Sequence, residues 1–286
     1  MATLDRVADR QAALSETANY LKRRLDFARW LCFGLSIGGA TLAAIASGLP
    51  SEAYRPFLAW PAAGMLAIST FVAARLLSKD SVMLYVKARM AAEALKREAF
   101  LFATSASPYE DPATREPKLV AALSTIEANA TGLGLVEQKA KGSGSCPRNS
   151  LHAQDYITSR LDKQINYYRD AADKLMMPSR LLHRTEFVLA GTAAIITAVA
   201  ASIGKGMFDV AALTAVITTL AGTVLAHLQA ARYDEHIVSY RATADRLADL
   251  KATAADNETA ANLAKVAEEI ISAETQGWQA LWVKGS

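Results

Sequence analysis

The residues with the most evident chemistry sit in one uncharged run of the second half. Thr214, Thr218, Thr219 and Thr223 recur within 210–231, and His227 follows them. Thr214 and Thr218 are four apart and share a helix face; Thr219 and Thr223 share another. Contributed by several subunits, such hydroxyls would line a polar path of weak selectivity, because charge rings or carbonyl rings set selectivity. The same hydroxyls can instead bond back to their own helix carbonyls and serve helix–helix contacts. Small residues at close-packing spacing accompany them: Gly34 and Gly38 form a GxxxG, and Thr218, Gly222 and Ala226 form a small-xxx-small row. Outside the apolar runs, Arg89 with Glu93 and Arg241 with Asp245 are each four apart on one helix face, placed to pair weakly and orient a cytoplasmic bundle.

Catalytic chemistry is not expected. The four His (152, 183, 227 and 236) are too scattered for metal-ligand spacing. Cys32 lies in an apolar run and Cys146 in a polar segment, and neither has a CxxC partner or a nearby His. There is no GxGxxG and no P-loop. No ionisable group lies at mid-depth in an apolar run, where a membrane hydrolase would want one. The expectation is no catalytic residue, no metal and no cofactor. Nucleic acid is not an expected partner either, because 31 basic residues are nearly matched by 28 acidic ones. A hydrophobic content of 52% with a net charge of +3 excludes a disordered chain.

The hydrophobic residues are collected in blocks. Runs 31–49, 57–74, 187–204 and 210–231 carry no charge. A transmembrane helix needs about 20 apolar residues to cross about 30 Å of hydrocarbon. Core helices of a soluble bundle keep a polar face, and these runs have none. The runs come in pairs joined by short turns at 50–56 and 205–209, which predicts two membrane hairpins. Ala44-Ile45-Ala46 resembles a cleavage site, but 29 residues of mixed charge precede the first run, so no cleaved signal peptide is expected. Fifteen Lys and Arg flank the runs on the side of the termini and middle segment; only Arg55 and Lys205 lie in the turns. The positive-inside rule then places both termini in the cytoplasm, and the predicted location is a bacterial inner membrane. Trp30 and Trp60 lie near run ends, as interface anchors do.

The rest of the chain also reads as helix. Leu4, Val7, Gln11, Leu14, Ala18, Leu21 and Leu25 make a heptad seam with one polar member. Tyr85, Ala88, Ala92, Leu95, Ala99 and Phe102 repeat the step, and Ile237, Tyr240, Ala244, Leu247 and Lys251 follow it imperfectly. Leu263, Val266, Ile270, Ala273 and Gly277 form a last predicted seam. Such seams fit either a bundle within the chain or a coiled coil between subunits. No Gly or Pro interrupts 65–107 or 223–276, so the second and fourth runs are expected to continue as long rods, with Pro108, Pro112 and Pro117 ending the first.

The predicted organisation is an amphipathic cytoplasmic helix (1–29), a first hairpin (30–77), cytoplasmic helices (78–138), a flexible Gly/Ser-rich linker (139–154), a cytoplasmic helix (155–182), a second hairpin (183–231) and cytoplasmic helices (232–286). The fold class is all-α: an integral membrane protein of four transmembrane helices. The linker divides two similar halves. Val86-x-x-Arg89-x-x-x-Glu93-x-Leu95 follows the second run, and Val238-x-x-Arg241-x-x-x-Asp245-x-Leu247 follows the fourth, which points to an internal parallel duplication.

Three segments carry a family resemblance. Tyr85-Val-Lys-Ala-Arg89-Met-Ala-Ala-Glu93-Ala-Leu95 runs on to Pro108-Tyr109; Arg160 leads to Tyr167-Tyr168-Arg169 before the third run; and Val266-Ala-Glu-Glu-Ile270 runs to Glu274 and Trp278. Together they resemble the SLATT superfamily of bacterial two-span membrane domains, here duplicated. The first half departs from the pattern, having only Tyr20 and Lys22-Arg23-Arg24 where the Tyr-Tyr-Arg run would stand. The resemblance implies a pore-forming or membrane-perturbing effector of a bacterial conflict system, such as anti-phage defence, working beside components of a nucleotide-second-messenger system. The partners expected are the lipid bilayer and further copies of the chain. Four spans without mid-membrane charge cannot enclose a wide wet pore, so a pore requires a homo-oligomer. The alternatives are a membrane scaffold whose bundle docks a signalling partner, and a small transporter.

Overall fold

A computed structural model describes residues 2–48, 53–140, 144–203, 210–254 and 259–284. Among these it contains only helices and connecting turns, with no strand. The predicted turn 205–209 with Lys205, position 49 of the first run, positions 50–52 of the first turn and positions 141–143 of the linker lie outside the described residues. In order, the helices are α1 (Ala2–Gly48), α2 (Arg55–Leu76), α3 (Lys79–Ala103), α4 (Arg115–Asn129), α5 (Ala153–Tyr156), a π-helical turn (Ile157–Leu161), α6 (Asp162–Ile203), α7 (Val210–Ala231), α8 (Tyr233–Thr253) and α9 (Ala260–Lys284). They divide into two compact units, a helical bundle (Met1–Arg23, Lys79–Asp173 and His236–Ser286) and an apolar unit (Arg24–Ser78 and Lys174–Glu235).

In the bundle the heptad steps become core. Leu4, Val7, Gln11, Leu14, Ala18 and Leu21 are all buried, as are Tyr85, Ala88, Ala92, Leu95, Ala99 and Phe102. These two seams are satisfied within one chain. The last seam is a correction. On α9, Val266, Ala273 and Gly277 are exposed, whereas Ala264, Ala267, Glu268, Ile271, Glu274 and Trp278 are buried. The helix is turned so that two glutamates face inward.

Two further expectations change. The second and fourth runs do not continue as unbroken rods. α2 closes with the Leu77 N–H donating to the Ala73 carbonyl at 3.1 Å, and α3 starts afresh at Lys79. α7 ends where Arg232 adopts φ 49°, a left-handed stop of the kind that closes many helices. Neither stop is marked by Gly or Pro. The unbroken helices are instead α1, with 47 residues, and α6, with 42. α3 ends at Ala103, ahead of the prolines, and Pro117 lies in the first turn of α4.

The segment read as a flexible linker is tied down at its described positions. Arg148 bonds Asp5 at 3.0 Å and Asp9 at 2.6 Å on α1. The Leu151 N–H donates to the Ala103 carbonyl at 2.8 Å. Gly144, at φ 71°, lies close against α1, where an added Cβ would stand 3.1 Å from that of Ala12. Just before it, the Gln138 N–H donates to Thr17 Oγ1 at 2.9 Å. Composition alone does not reveal such anchoring.

Three stretches among the described residues are long and apolar enough to cross a membrane, within Ala2–Ser47, Arg55–Leu76 and Thr214–Thr253. The uncharged run 187–204 begins inside α6, and its last position lies outside the described residues. The apolar unit has only a small core, Leu182, Val224 and Leu228 with Phe33, Ile37 and Leu189 packed around it. Its surface displays large hydrophobic side chains, including Phe57, Trp60, Phe71, Phe187 and Ile195. So much exposed apolar surface fits a chain whose solvent there is lipid.

The α1–α2 contact is close and polar at its centre. Ser36 and Ser69 hydroxyls lie 3.0 Å apart, and Ser69 donates to the Cys32 carbonyl at 3.2 Å. Gly34 and Gly38 do not share this seam. Gly34 has nothing within 4 Å of a Cβ position, and the close approach falls at Gly38, beside Met65, and at Gly39. A Cβ on Gly39 would come within 2.9 Å of Leu66 Cγ and 3.1 Å of the Ala62 carbonyl oxygen. Thermal unfolding of the detergent-solubilised protein should therefore separate the two glycines. Gly39→Ala is expected to cost about 1–3 kcal/mol by overpacking, whereas Gly34→Ala should be neutral or stabilise by about 0.5–1 kcal/mol.

Candidate functional site

The bundle has a polar centre built on the π-helical turn. The wider turn carries Arg160 and Leu161 inward, with Tyr156 of α5 just before it, and all three are fully buried. A π-turn inside a helix is uncommon and recurs at functional positions. Arg160 grips Glu268 of α9 with two parallel bonds, Nε to Oε1 at 2.7 Å and Nη2 to Oε2 at 2.8 Å. The Tyr156 hydroxyl donates to the same Oε1 at 3.2 Å. The Arg160 guanidinium also lies 4.8 Å from the centre of the Phe100 ring, while its Nη1 has no hydrogen-bond partner. Burial opposes the Arg160 charge, but the Glu268 carboxylate outweighs it and raises the guanidinium's pKa.

Beside this pair, α1, α3, α6 and α9 enclose a pocket of about 200 Å³. Arg89 and Lys96 of α3, Lys22 of α1 and Glu274 of α9 bring charges of both signs to its wall, with Tyr167 and Tyr168 of α6 beside them. Glu274 is 5% exposed; Tyr168 donates to its Oε2 at 3.2 Å, and its Oε1 is left without a hydrogen bond. Burial raises the Glu274 carboxyl above its ordinary value, against the pull of the Arg89 charge. Burial and then the Arg160 charge lower the Lys96 ammonium. Lys96 and Glu93 have no hydrogen-bond or ion-pair partner among the described residues. The Cys146 thiol near Lys96 is pushed by burial up to about 12, so it stays protonated at neutral pH.

The two orienting pairs read from spacing are not the contacts that form. The Arg89 guanidinium lies 4.1 Å from the centre of the Trp278 ring and donates to the Tyr85 hydroxyl at 3.4 Å, instead of closing on Glu93. A stacked guanidinium in a half-buried wall gains a cation–π contact that an exposed i,i+4 pair does not offer. Arg241 reaches across to Asp173 of α6 at 3.4 Å, and Asp245 faces solvent. The repeat-related arginines thus have different surroundings, one in the pocket and one on the surface.

In the apolar unit the threonines bond to their own helix. Thr218 donates to the Thr214 carbonyl, Thr219 to that of Ala215 and Thr223 to that of Thr219, at 2.8, 2.8 and 2.9 Å. Thr218, Thr219 and Gly222 are exposed, and Thr214 and Thr223 are half-buried at the edges of that face. His227 is a correction as a pore-lining candidate. It is buried, with ring centres 4.8 Å from Trp30 and 4.5 Å from Phe33. An aromatic pocket offered by α1 outcompetes an outward position for the imidazole. Gly222, like Gly34, has nothing within 4 Å of a Cβ position.

Sequence reasoning missed Arg160, Glu268, Lys96 and Glu274 as a group. A signal was present for the acids: Glu268 stands between Ala264 and Ile271, and Glu274 between Ile271 and Trp278, at helical spacing on one apolar face. A charge inside such a stripe calls for a buried partner.

Comparison with known families divides the chain at the same place as the internal repeat. Residues 156–278 match a family described as SMODS and SLOG-associating 2TM effector domain 1. Residues 12–117 match one described as protein of unknown function (DUF4231). No curated protein and no solved structure matches the chain. Arg89, Glu93 and Lys96 come from the first matched region, and Arg160, Tyr168, Glu268 and Glu274 from the second. The polar centre is therefore assembled by both halves.

Removing one member of the buried pair leaves an uncompensated charge. Arg160→Met should cost about 3–5 kcal/mol in chemical unfolding, and the Arg160→Met, Glu268→Leu double variant should recover most of that loss. Equal instability of the single and double variants would show that the pair does more than balance charge.

Proposed function

We propose that the protein is a bacterial membrane effector that acts by assembling copies of itself into a pore, a reading supported by the match of residues 156–278 to a two-transmembrane effector domain family. The domain belongs to effectors of conflict systems, so the reading places the protein in a stress or anti-phage response. The chain carries its apolar segments in two hairpins, with four spans in all. The termini and bundle lie in the cytoplasm and the turns face outward, because fifteen basic residues flank one side and two the other.

One observation carries the reading. On α7, Ala215, Thr218, Thr219, Gly222 and Ala226 are all exposed and share one face. Elsewhere the apolar unit exposes large side chains such as Phe57, Trp60 and Phe187 together with small ones such as Ala59, Ala63 and Ala67 of α2. Lipid tails contact large apolar side chains well, whereas a small-residue face lets a neighbouring helix backbone approach. The partner that fits this face is a helix of a further copy of the chain, the copies being arranged about a common axis. Rings of Thr218 and Thr219 would then line a weakly selective path, their hydroxyls each able to accept a further hydrogen bond while donating to the helix. No catalytic step is assigned to the protein.

Protein reconstituted in liposomes should release an entrapped small dye. Thr218→Leu with Gly222→Leu should remove most of that leak while leaving insertion intact. Vesicles that stay sealed around inserted, assembled protein would contradict the pore.

A further inference from the structure

We propose that the four-helix pocket of the bundle is a binding site for a small amphoteric molecule of amino-acid size, one that carries an anionic group and a cationic donor together. The lining sets this class. Lys22, Arg89 and Lys96 stand against Glu93 and Glu274 around one cavity, yet no ion pair closes between these two sets among the described residues. Opposite charges that share a half-buried space and remain apart leave room for something between them. Lys96 is half-buried on the pocket wall, and Glu274, nine-tenths buried, leaves one carboxyl oxygen unbonded. A buried polar group without its bond costs about 1–3 kcal/mol, so the empty arrangement is unfavourable at the Glu274 end.

A ligand with charges of both signs satisfies both ends at once. Its anionic group takes Lys96 with Arg89, and its ammonium takes Glu274 with Glu93. A simple anion would meet the two glutamates, and a simple diamine would meet three cations. Size agrees: about 200 Å³ is the share of some six waters at about 30 Å³ each. Tyr85, Tyr167 and Tyr168 line the same space and offer hydroxyls for orientation. The site stands independently of the pore reading, since every lining residue belongs to the bundle unit.

The test uses the full chain in lipid nanodiscs, with thermal unfolding and calorimetric titration against the twenty amino acids. Glutarate, 1,4-diaminobutane and inorganic phosphate serve as single-sign controls. At least one amino acid should raise the unfolding midpoint with concentration, and the controls should not. Lys96→Met and Glu274→Gln should each weaken that binding about ten- to a hundredfold, the equivalent of one lost charged hydrogen bond. Without ligand both variants should unfold no earlier than the parent, because each removes a strained charge, so loss of binding is distinguishable from loss of fold. Absence of binding across the twenty amino acids would overturn the proposal. So would phosphate binding that survives Glu274→Gln, which would mark a plain anion site.

Discussion

Hydrocarbon offers a backbone amide no water to bond, so a chain that enters it must satisfy each N–H and C=O within itself. That constraint accounts for the helices of the apolar unit, and no strand is seen among the described residues. It also explains why the two units use their side chains in opposite senses. The apolar unit exposes Phe57, Trp60 and Phe187 and keeps a core of only a few residues. The bundle buries its apolar seams and sets charged groups among them. Where α1 and α2 meet, small and weakly polar groups make the contact, Gly39 at Ala62 and Ser36 at Ser69. Little hydrophobic force drives helices together in lipid, so close packing and short hydrogen bonds do that work.

Within the bundle the Arg160–Glu268 pair plays a different part. A buried ion pair seldom adds net stability over apolar packing of the same shape. What it can fix is rotation. Only one setting of α9 brings Glu268 to Arg160, and that setting also turns Glu274 and Trp278 toward α3 and α6. The pocket wall and the Arg89 stack on Trp278 follow from it. The π-turn at 157–161 supplies the matching geometry on the other side, because it lets Arg160 and Leu161 both face inward.

The parts of this fold legible in the sequence are those governed by apolar periodicity. The seams from Leu4 and from Tyr85 are buried as their spacing predicts, and the uncharged runs 57–74 and 210–231 fall within helices of membrane length. Legibility fails where polar contacts override the pattern. Apolar periodicity alone phases the α9 seam on Val266 and Ala273, yet Glu268 and Glu274 lie on the inner face. Spacing along one helix pairs Arg89 with Glu93, whereas its ring partner Trp278 is nearly two hundred positions away. The stops at Leu77 and Arg232 carry no Gly or Pro, and the anchoring of 144–151 depends on Asp5, Asp9 and Ala103, far away in sequence. The threonine row was visible at once, but its exposure and the withdrawal of His227 into an aromatic cluster needed the neighbouring helices.

Every functional claim made for the apolar unit depends on more than one copy of the chain. The most direct measurement is the mass of the protein particle embedded in lipid, read by native mass spectrometry or mass photometry with the lipid contribution removed. The account predicts a discrete multiple of the 30.6 kDa chain, reduced toward one copy when Gly222 is replaced by Leu. A particle that holds a single 30.6 kDa chain at membrane-like density, with its helices intact, would contradict it.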